Sequence, residues 1–380
     1  MTSGIDAQVW AALERVIDPE LRLPLTELGM LATPEIDATG RVAATVKLTV
    51  VGCPASHKIE RDVREAIQSV AGVSSVDVTL DVMTAAERAE LVVRLRAGKP
   101  ARVNPFDVDS LTHVLLVGSG KGGVGKSSLT ANLAVALAAG GAKVGLLDAD
   151  IFGFSIPGQL GLDPSQPTGR PTKVDDLMLP PVAYGVKVIS IGMFVDGNQA
   201  VAWRGPMLHR AIQQFLTDVF WGDLDFLLVD LPPGTGDVAI SLGQLLPTAK
   251  SIVVTTPQVA AADVAERSGA VGLQTGQGIL GVIENMAWLE QPDGSRLQIF
   301  GEGGGALVAE RLSNMANSTV PVLAQVPLSV ALREGSDRGE PVVVELPNDP
   351  AAVAIAGVAA ELLKMPRGLA GRKLNLSPRA

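Results

Sequence analysis

The stretch Gly118–Ser128, GSGKGGVGKSS, constrains this chain more than any other, because it fits G-x-x-x-x-G-K-[ST] from Gly120 to Ser127. A loop of this kind needs a buried strand before it and a helix after it, so that its backbone N–H groups converge at the positive end of the helix. The apolar run His113–Val117 supplies the strand, and Ser127–Ala138 supplies the helix. Gly120, Gly122, Gly123 and Gly125, with Val124 among them, let the backbone curl around a β-phosphate. Lys126 then reaches the β/γ oxygens, and the Ser127 hydroxyl, followed by Ser128, binds Mg²⁺. A bland glycine-rich turn would explain neither the Lys-Ser pair nor the strand–helix frame. The segment is read as a nucleotide phosphate site.

From about Leu111 onward the pattern is strand then helix, repeated. Buried-strand candidates are 114–117, 144–148, 186–191, 226–230, 252–256, 279–284 and 322–326. Parallel strands demand such crossovers, so the fold class is α/β: a doubly wound, mostly parallel sheet with the nucleotide at the strand carboxyl ends. A small α+β domain is expected before it, over residues 5–83. There Val9, Leu13, Val16 and Ile17 form one helix face, and Ile59, Val63, Ile67 and Val70 keep helical spacing. Arg41–Val50 and Ser75–Val82 alternate as strands. Residues 84–109 begin as a charged helix and lose periodicity at Gly98–Pro100, which reads as a linker. The phosphate-loop domain is expected to span 110–365, and the basic tail 366–380, rich in Gly, Pro and Ser, reads as disordered.

Composition narrows the partners. The net charge of -9 over 380 residues argues against general nucleic-acid binding, which rests on Lys and Arg neutralising phosphates. Apolar runs such as Ala351–Ala360 stop short of the ~20 residues a spanning helix needs, so no membrane partner is expected. No signal peptide is expected either, since residues 1–20 are acidic and amphipathic. A single cysteine, Cys53, excludes an intrachain disulfide, and a reduced cytoplasmic location fits.

Two further strands end in carboxylates. Leu146–Asp150 carries Asp148 and Asp150 two residues apart, and Phe226–Asp230 has the form of a Walker B strand whose Asp230 holds Mg²⁺ or its water. As strand-end caps, each aspartate alone would mean little; their order after the phosphate loop gives the functional reading. The loop Pro232–Asp237 contains Gly234 and Gly236, which allow it to move when a γ-phosphate is lost.

The second lysine inside the loop, Lys121, makes KGGVGKS similar to the deviant Walker A loop of the MinD/ParA/nitrogenase iron-protein ATPases. That resemblance implies a homodimer in which Lys121 crosses to the phosphates of the partner subunit, and an Asp150 that positions the attacking water. The chain as a whole resembles the Mrp (ApbC-type) family of iron–sulfur cluster carrier ATPases. The residues carrying this are Asp148–Pro157, Trp203–Met207, Asp230–Asp237, Thr255–Gln258, Glu284–Met286 and Phe300–Gly305. Asp18–Glu20, Leu28–Met30 and Gly52–Pro54 likewise resemble a small domain of cluster-assembly factors. The likeness implies Mg-dependent ATP hydrolysis with weak turnover, adenine recognition by Asn285, and client apo iron–sulfur proteins. Arg204 is open between a phosphate or partner contact and a residue that merely precedes a helix beginning at Pro206.

One departure bears on the cargo. Bacterial relatives usually carry Cys-x-x-Cys shortly after Glu-Asn-Met, whereas Ala287–Ile299 here is AWLEQPDGSRLQI, with no cysteine. Pro292–Gly294 reads as a hairpin turn. Cys53, near a helix N-terminus with His57 four residues on, is either an iron–sulfur ligand shared between two subunits or an inert small side chain. Three functions stay open: a cluster carrier or assembly factor, a MinD/ParA-like positioning switch, and an ATPase chaperone for client apoproteins that holds no cluster itself.

Overall fold

The computed structural model describes residues 3–50, 55–96, 103–151, 153–194 and 205–366, and its contacts divide the chain into two units. The larger unit comprises Asn104–Leu162, Ala183–Leu216 and the chain from Asp223 onward. Its sheet runs in the order Val322–Val326, Gly278–Asn285, Lys250–Thr255, His113–Ser119, Phe226–Asp230, Val144–Asp148 and Val186–Ser190, all paired parallel. The two-residue strand Val182–Ala183 makes the eighth member. The central strands are apolar throughout because helices cover both faces, leaving Leu227, Leu228 and Val229 without exposed surface. All seven expected strands are present, and the α/β class read from the sequence is the observed one.

Register places the chemistry. Asp230 is the strand partner of Val117 on one side and of Asp148 on the other, so both carboxylates emerge at the same level at the carboxyl end of the sheet. The helix Lys126–Ala139 starts at that level and buries Leu129, Leu133 and Leu137. The helix Pro350–Leu363 packs against it, started by Asp349, whose side chain accepts from Ala351 N.

The smaller unit has a three-stranded sheet ordered Glu35–Ile36, Arg41–Leu48, Ser75–Val82, the first pair antiparallel and the second parallel. Val42, Ala44, Val46 and Leu48 face a core shared with Ile59, Val63 and Ile67 of the helix Ser56–Gln68. This unit differs from the sequence expectation in two places. The segment read as a linker does open with the expected helix, Ala85–Leu95, started by a capping box between Thr84 and Glu87, but Leu91 and Val92 are buried in the same core, so this helix is part of the unit. The unit also includes Asp163–Val182 and Thr217–Gly222, which lie inside the span 110–365. The hairpin Thr172–Val174/Leu177–Leu179 inserts Val174, Leu177 and Leu179 into the core beside Val9 and Leu13, each 3% exposed or less. Arg96 bonds Asp176 at 2.9 Å, and Met178 N–H donates to the Asp218 carbonyl at 2.8 Å. Strands of three residues carry too little periodicity to reveal such an arm from sequence.

Candidate functional site

The strand His113–Ser119 runs into the glycine loop, and the helix Lys126–Ala139 leaves it. Gly123 and Gly125 both have φ of +79°, a conformation that side chains resist, and Gly125 is the N-cap of the helix. Gly120 serves a different need: a Cβ there would overlap the backbone of Val264 and Ala265, so the loop and the helix Val259–Gln274 are in direct main-chain contact. Gly234 N–H donates to the Ser119 carbonyl at 2.8 Å, tying the Pro232–Asp237 loop to the end of the phosphate-loop strand.

Lys126, Ser127 and Asp230 converge at the base of this loop. Lys126 Nζ lies 2.6 Å from Asp230 Oδ2, the Ser127 hydroxyl donates to the same oxygen at 2.6 Å, and Lys126 Nζ is 3.1 Å from Ser127 Oγ. The two charges are 6% and 1% exposed, so each is the main compensation for the other. Thr130 Oγ1 donates to Asp230 Oδ1 at 2.9 Å, occupying the second carboxylate oxygen. Asp148, without exposed surface, accepts from Ser190 Oγ at 2.9 Å and from Asp150 N at 3.1 Å. Burial, then the neighbouring Asp230 charge, pushes its carboxyl well above the usual range.

A cleft of about 660 Å³ opens over this base, lined by Lys121, Lys126, Ser127, Asp150, Pro233 and Asp237 among others. Asp150 is 7% exposed, and its Oδ1 accepts from Gly153 N at 3.0 Å. A second cavity of about 530 Å³ shares Gly125 and Ser128 with the first and is lined by Asn285, Pro327, Leu328 and Arg333. Together they offer a polar end for phosphates and a more apolar end for a base. Asn285 uses one amide hydrogen to hold the Val124 carbonyl at 2.8 Å, so it buttresses the loop as well as facing the cavity. Lys121 Nζ donates to Gln258 Oε1 of the same chain at 2.8 Å.

Sequence reading named Lys121, Lys126, Ser127, Asp150, Asp230 and the loop glycines, and the fold gathers them around one cleft. It missed Thr130 and Ser190, and it gave Gln258, the last residue of the Thr255–Gln258 stretch, no role beside Lys121. Thr130 was findable, since it follows Lys126 by one helical turn; Ser190 comes from a distant strand end and leaves no local signal, and the pairing of Gln258 with Lys121, 137 residues apart, leaves none either. Cys53 and Arg204 lie outside the described residues, and His57 is exposed on the helix Ser56–Gln68.

The segment after Met286 is the expected hairpin. Leu289–Glu290 pairs with Arg296–Leu297, closed by Gln291 N–H to the Ser295 carbonyl at 2.8 Å, with Gly294 at φ +82°. The Arg296 guanidinium stacks over the Trp288 ring at 3.9 Å. Among the described residues no cluster of three or more His, Cys, Asp or Glu side chains could hold a metal ion, and no helix is long and apolar enough to cross a membrane.

Comparison with known proteins agrees with this geometry. The family described as NUBPL iron-transfer P-loop NTPase matches residues 110–363, and the family described as iron–sulfur cluster assembly protein matches residues 6–80. An iron–sulfur cluster carrier protein of Mycobacterium tuberculosis is 53% identical over 98% of this chain and 97% of its own length. One of Deinococcus radiodurans is 43% identical over 92% of this chain and 93% of its own. Among solved structures, a nucleotide-binding protein of Archaeoglobus fulgidus in complex with ADP is 36% identical, with a TM-score of 0.51 over 63% of this chain and 90% of its own. The chain therefore belongs to the NUBPL-type iron-transfer P-loop NTPases, a family that supports nucleotide hydrolysis.

Proposed function

We propose that this protein is an ATP-binding and hydrolysing carrier or assembly factor that matures iron–sulfur apoproteins in the cytoplasm, working as a homodimer with weak turnover. The observation that carries the reading is the intact phosphate site, Lys126–Ser127–Asp230, in a chain more than half identical along nearly its whole length to proteins named iron–sulfur cluster carriers. The cluster itself is cargo.

In this reading the loop N–H groups and Lys126 bind the β- and γ-phosphates, and Lys126 must leave Asp230 to do so. A hydroxyl and a carboxylate converging within 2.6 Å suit a hard cation, so Ser127 and Asp230 are the residues for Mg²⁺. When bound, Mg²⁺ would neutralise charge on the phosphate oxygens. Asp150 orients the attacking water from the cleft wall, and Lys121 stabilises transition-state charge across the dimer. Asn285 faces the adenine.

The cysteine-free hairpin Leu289–Leu297 favours a second reading, an ATPase chaperone that holds no cluster itself. Anaerobic reconstitution of the full chain with iron and sulfide, with iron and labile-sulfide counts on wild type and Cys53→Ser, separates the two. A stoichiometric cluster supports the carrier, and its loss in the variant assigns Cys53. No cluster in either protein, with ATP-dependent client activation retained, supports the chaperone. A protein that neither binds a cluster nor stimulates cluster acquisition by any apoprotein would overturn both.

A further inference from the structure

We infer that Gln258 is a positioning residue that latches Lys121 inside its own protomer and thereby sets how much ATP is needed for two protomers to assemble. The proposal rests on the reading of Lys121 as the group that crosses to the partner's phosphates, and adds to it a restraint that the crossing must break.

Three observations carry it. The Lys121 ammonium donates to Gln258 Oε1 at 2.8 Å, a bond to a charged donor in a partly buried place. Gln258 is the N-cap of the helix Val259–Gln274, yet its side chain makes no capping bond to the helix, so its carboxamide oxygen is turned to the lysine instead. The two ends of the bond are held by rigid backbone: Gly120 abuts Val264 and Ala265, and on the other side Gly304 abuts the carbonyls of Thr256 and Pro257. With no slack in either support, Lys121 cannot swing out toward a second subunit while keeping this partner.

A contact present in the separate protomer and absent from the assembled dimer opposes assembly by its own free energy, which for a hydrogen bond to a charged group corresponds to about tenfold or more in an equilibrium constant. Nucleotide tips the balance by offering Lys121 a stronger acceptor on the partner. Gln258 therefore acts on the threshold for assembly and leaves the chemical step alone.

The test measures the ATP concentration giving half-maximal dimer, by sedimentation or light scattering, together with kcat and KM, on the full chain. Gln258→Ala is expected to lower the dimerisation midpoint about tenfold with kcat unchanged. Gln258→Glu, which replaces the amide with a carboxylate, is expected to raise it. In a Lys121→Ala background, Gln258→Ala should add nothing. Thermal unfolding of each variant shows whether it is folded, and the opposite signs for Ala and Glu separate a latch from general damage. An unchanged or raised midpoint in Gln258→Ala, or a reduced kcat, overturns the latch. If Lys121→Ala itself dimerises and hydrolyses ATP as wild type does, the reading of Lys121 fails, and that outcome is distinct from a normal Gln258→Ala alongside an impaired Lys121→Ala.

Discussion

Lys126 and Asp230 compensate each other's buried charge, and this makes substitutions there act twice. Removing one member of a buried pair strands the other charge at a cost of about 3–5 kcal/mol. Lys126→Ala is therefore expected both to abolish productive ATP binding and to lower the melting temperature, while Lys126→Ala combined with Asp230→Asn should recover stability without recovering binding. Titration calorimetry and thermal unfolding read the two effects separately; unchanged ATP affinity in Lys126→Ala would sink the site assignment. Lys121→Ala and Asp150→Ala belong to turnover instead. Each should leave ATP binding measurable and reduce hydrolysis by ~10²-fold or more, the scale of losing one transition-state stabiliser. Glu20 offers a pH test away from the cleft. Burial, then the nearby Asp18 charge, raises its carboxyl from 4.5 to about 7, against a smaller lowering by Thr172 of the inserted arm. A raised folded-state value contributes stability that is complete below 4.5 and lost as pH rises through about 7. The melting temperature of wild type should therefore fall relative to that of Glu20→Gln between pH 5 and 8, and parallel profiles would refute it.

At the scale of elements, the arm Asp163–Val182 matters most, because the smaller unit's core is incomplete without it. Leu177 is 3% exposed there, and truncating a buried leucine costs about 2–5 kcal/mol. Leu177→Ala should destabilise the smaller unit by that order in denaturant unfolding, although the residue is remote in sequence from residues 5–83; a change below about 0.5 kcal/mol, the usual range for surface sites, would show the arm is not part of that core. The same finding alters how fragments behave. A piece beginning near residue 105 carries Val174, Leu177 and Leu179 without the apolar surface that covers them, so it is expected to aggregate more readily than the full chain in light scattering. Cluster uptake is accordingly a question for the intact protein.

For the whole molecule, local pattern determined a great deal. The glycine loop, the seven apolar strands and the Pro292–Gly294 turn were legible because each depends on neighbours within a few residues: φ freedom, periodicity and turn chemistry are local properties. Lys126, Ser127 and Asp230 were legible through a motif and its order along the chain, which parallel topology converts into one strand-end cluster. What the tertiary structure alone decided lies where residues far apart meet. Ser190 reaches Asp148, Gln258 reaches Lys121, and Glu20 meets Thr172 only because strand order and a chain excursion bring them together. The raised carboxyl of Asp148 has the same origin, since it comes from burial and from Asp230 on the next strand. Sequence thus determined the kind of chemistry through short-range backbone and side-chain rules; packing over long separations decided which charges are paired, which are latched, and which segment completes the smaller core.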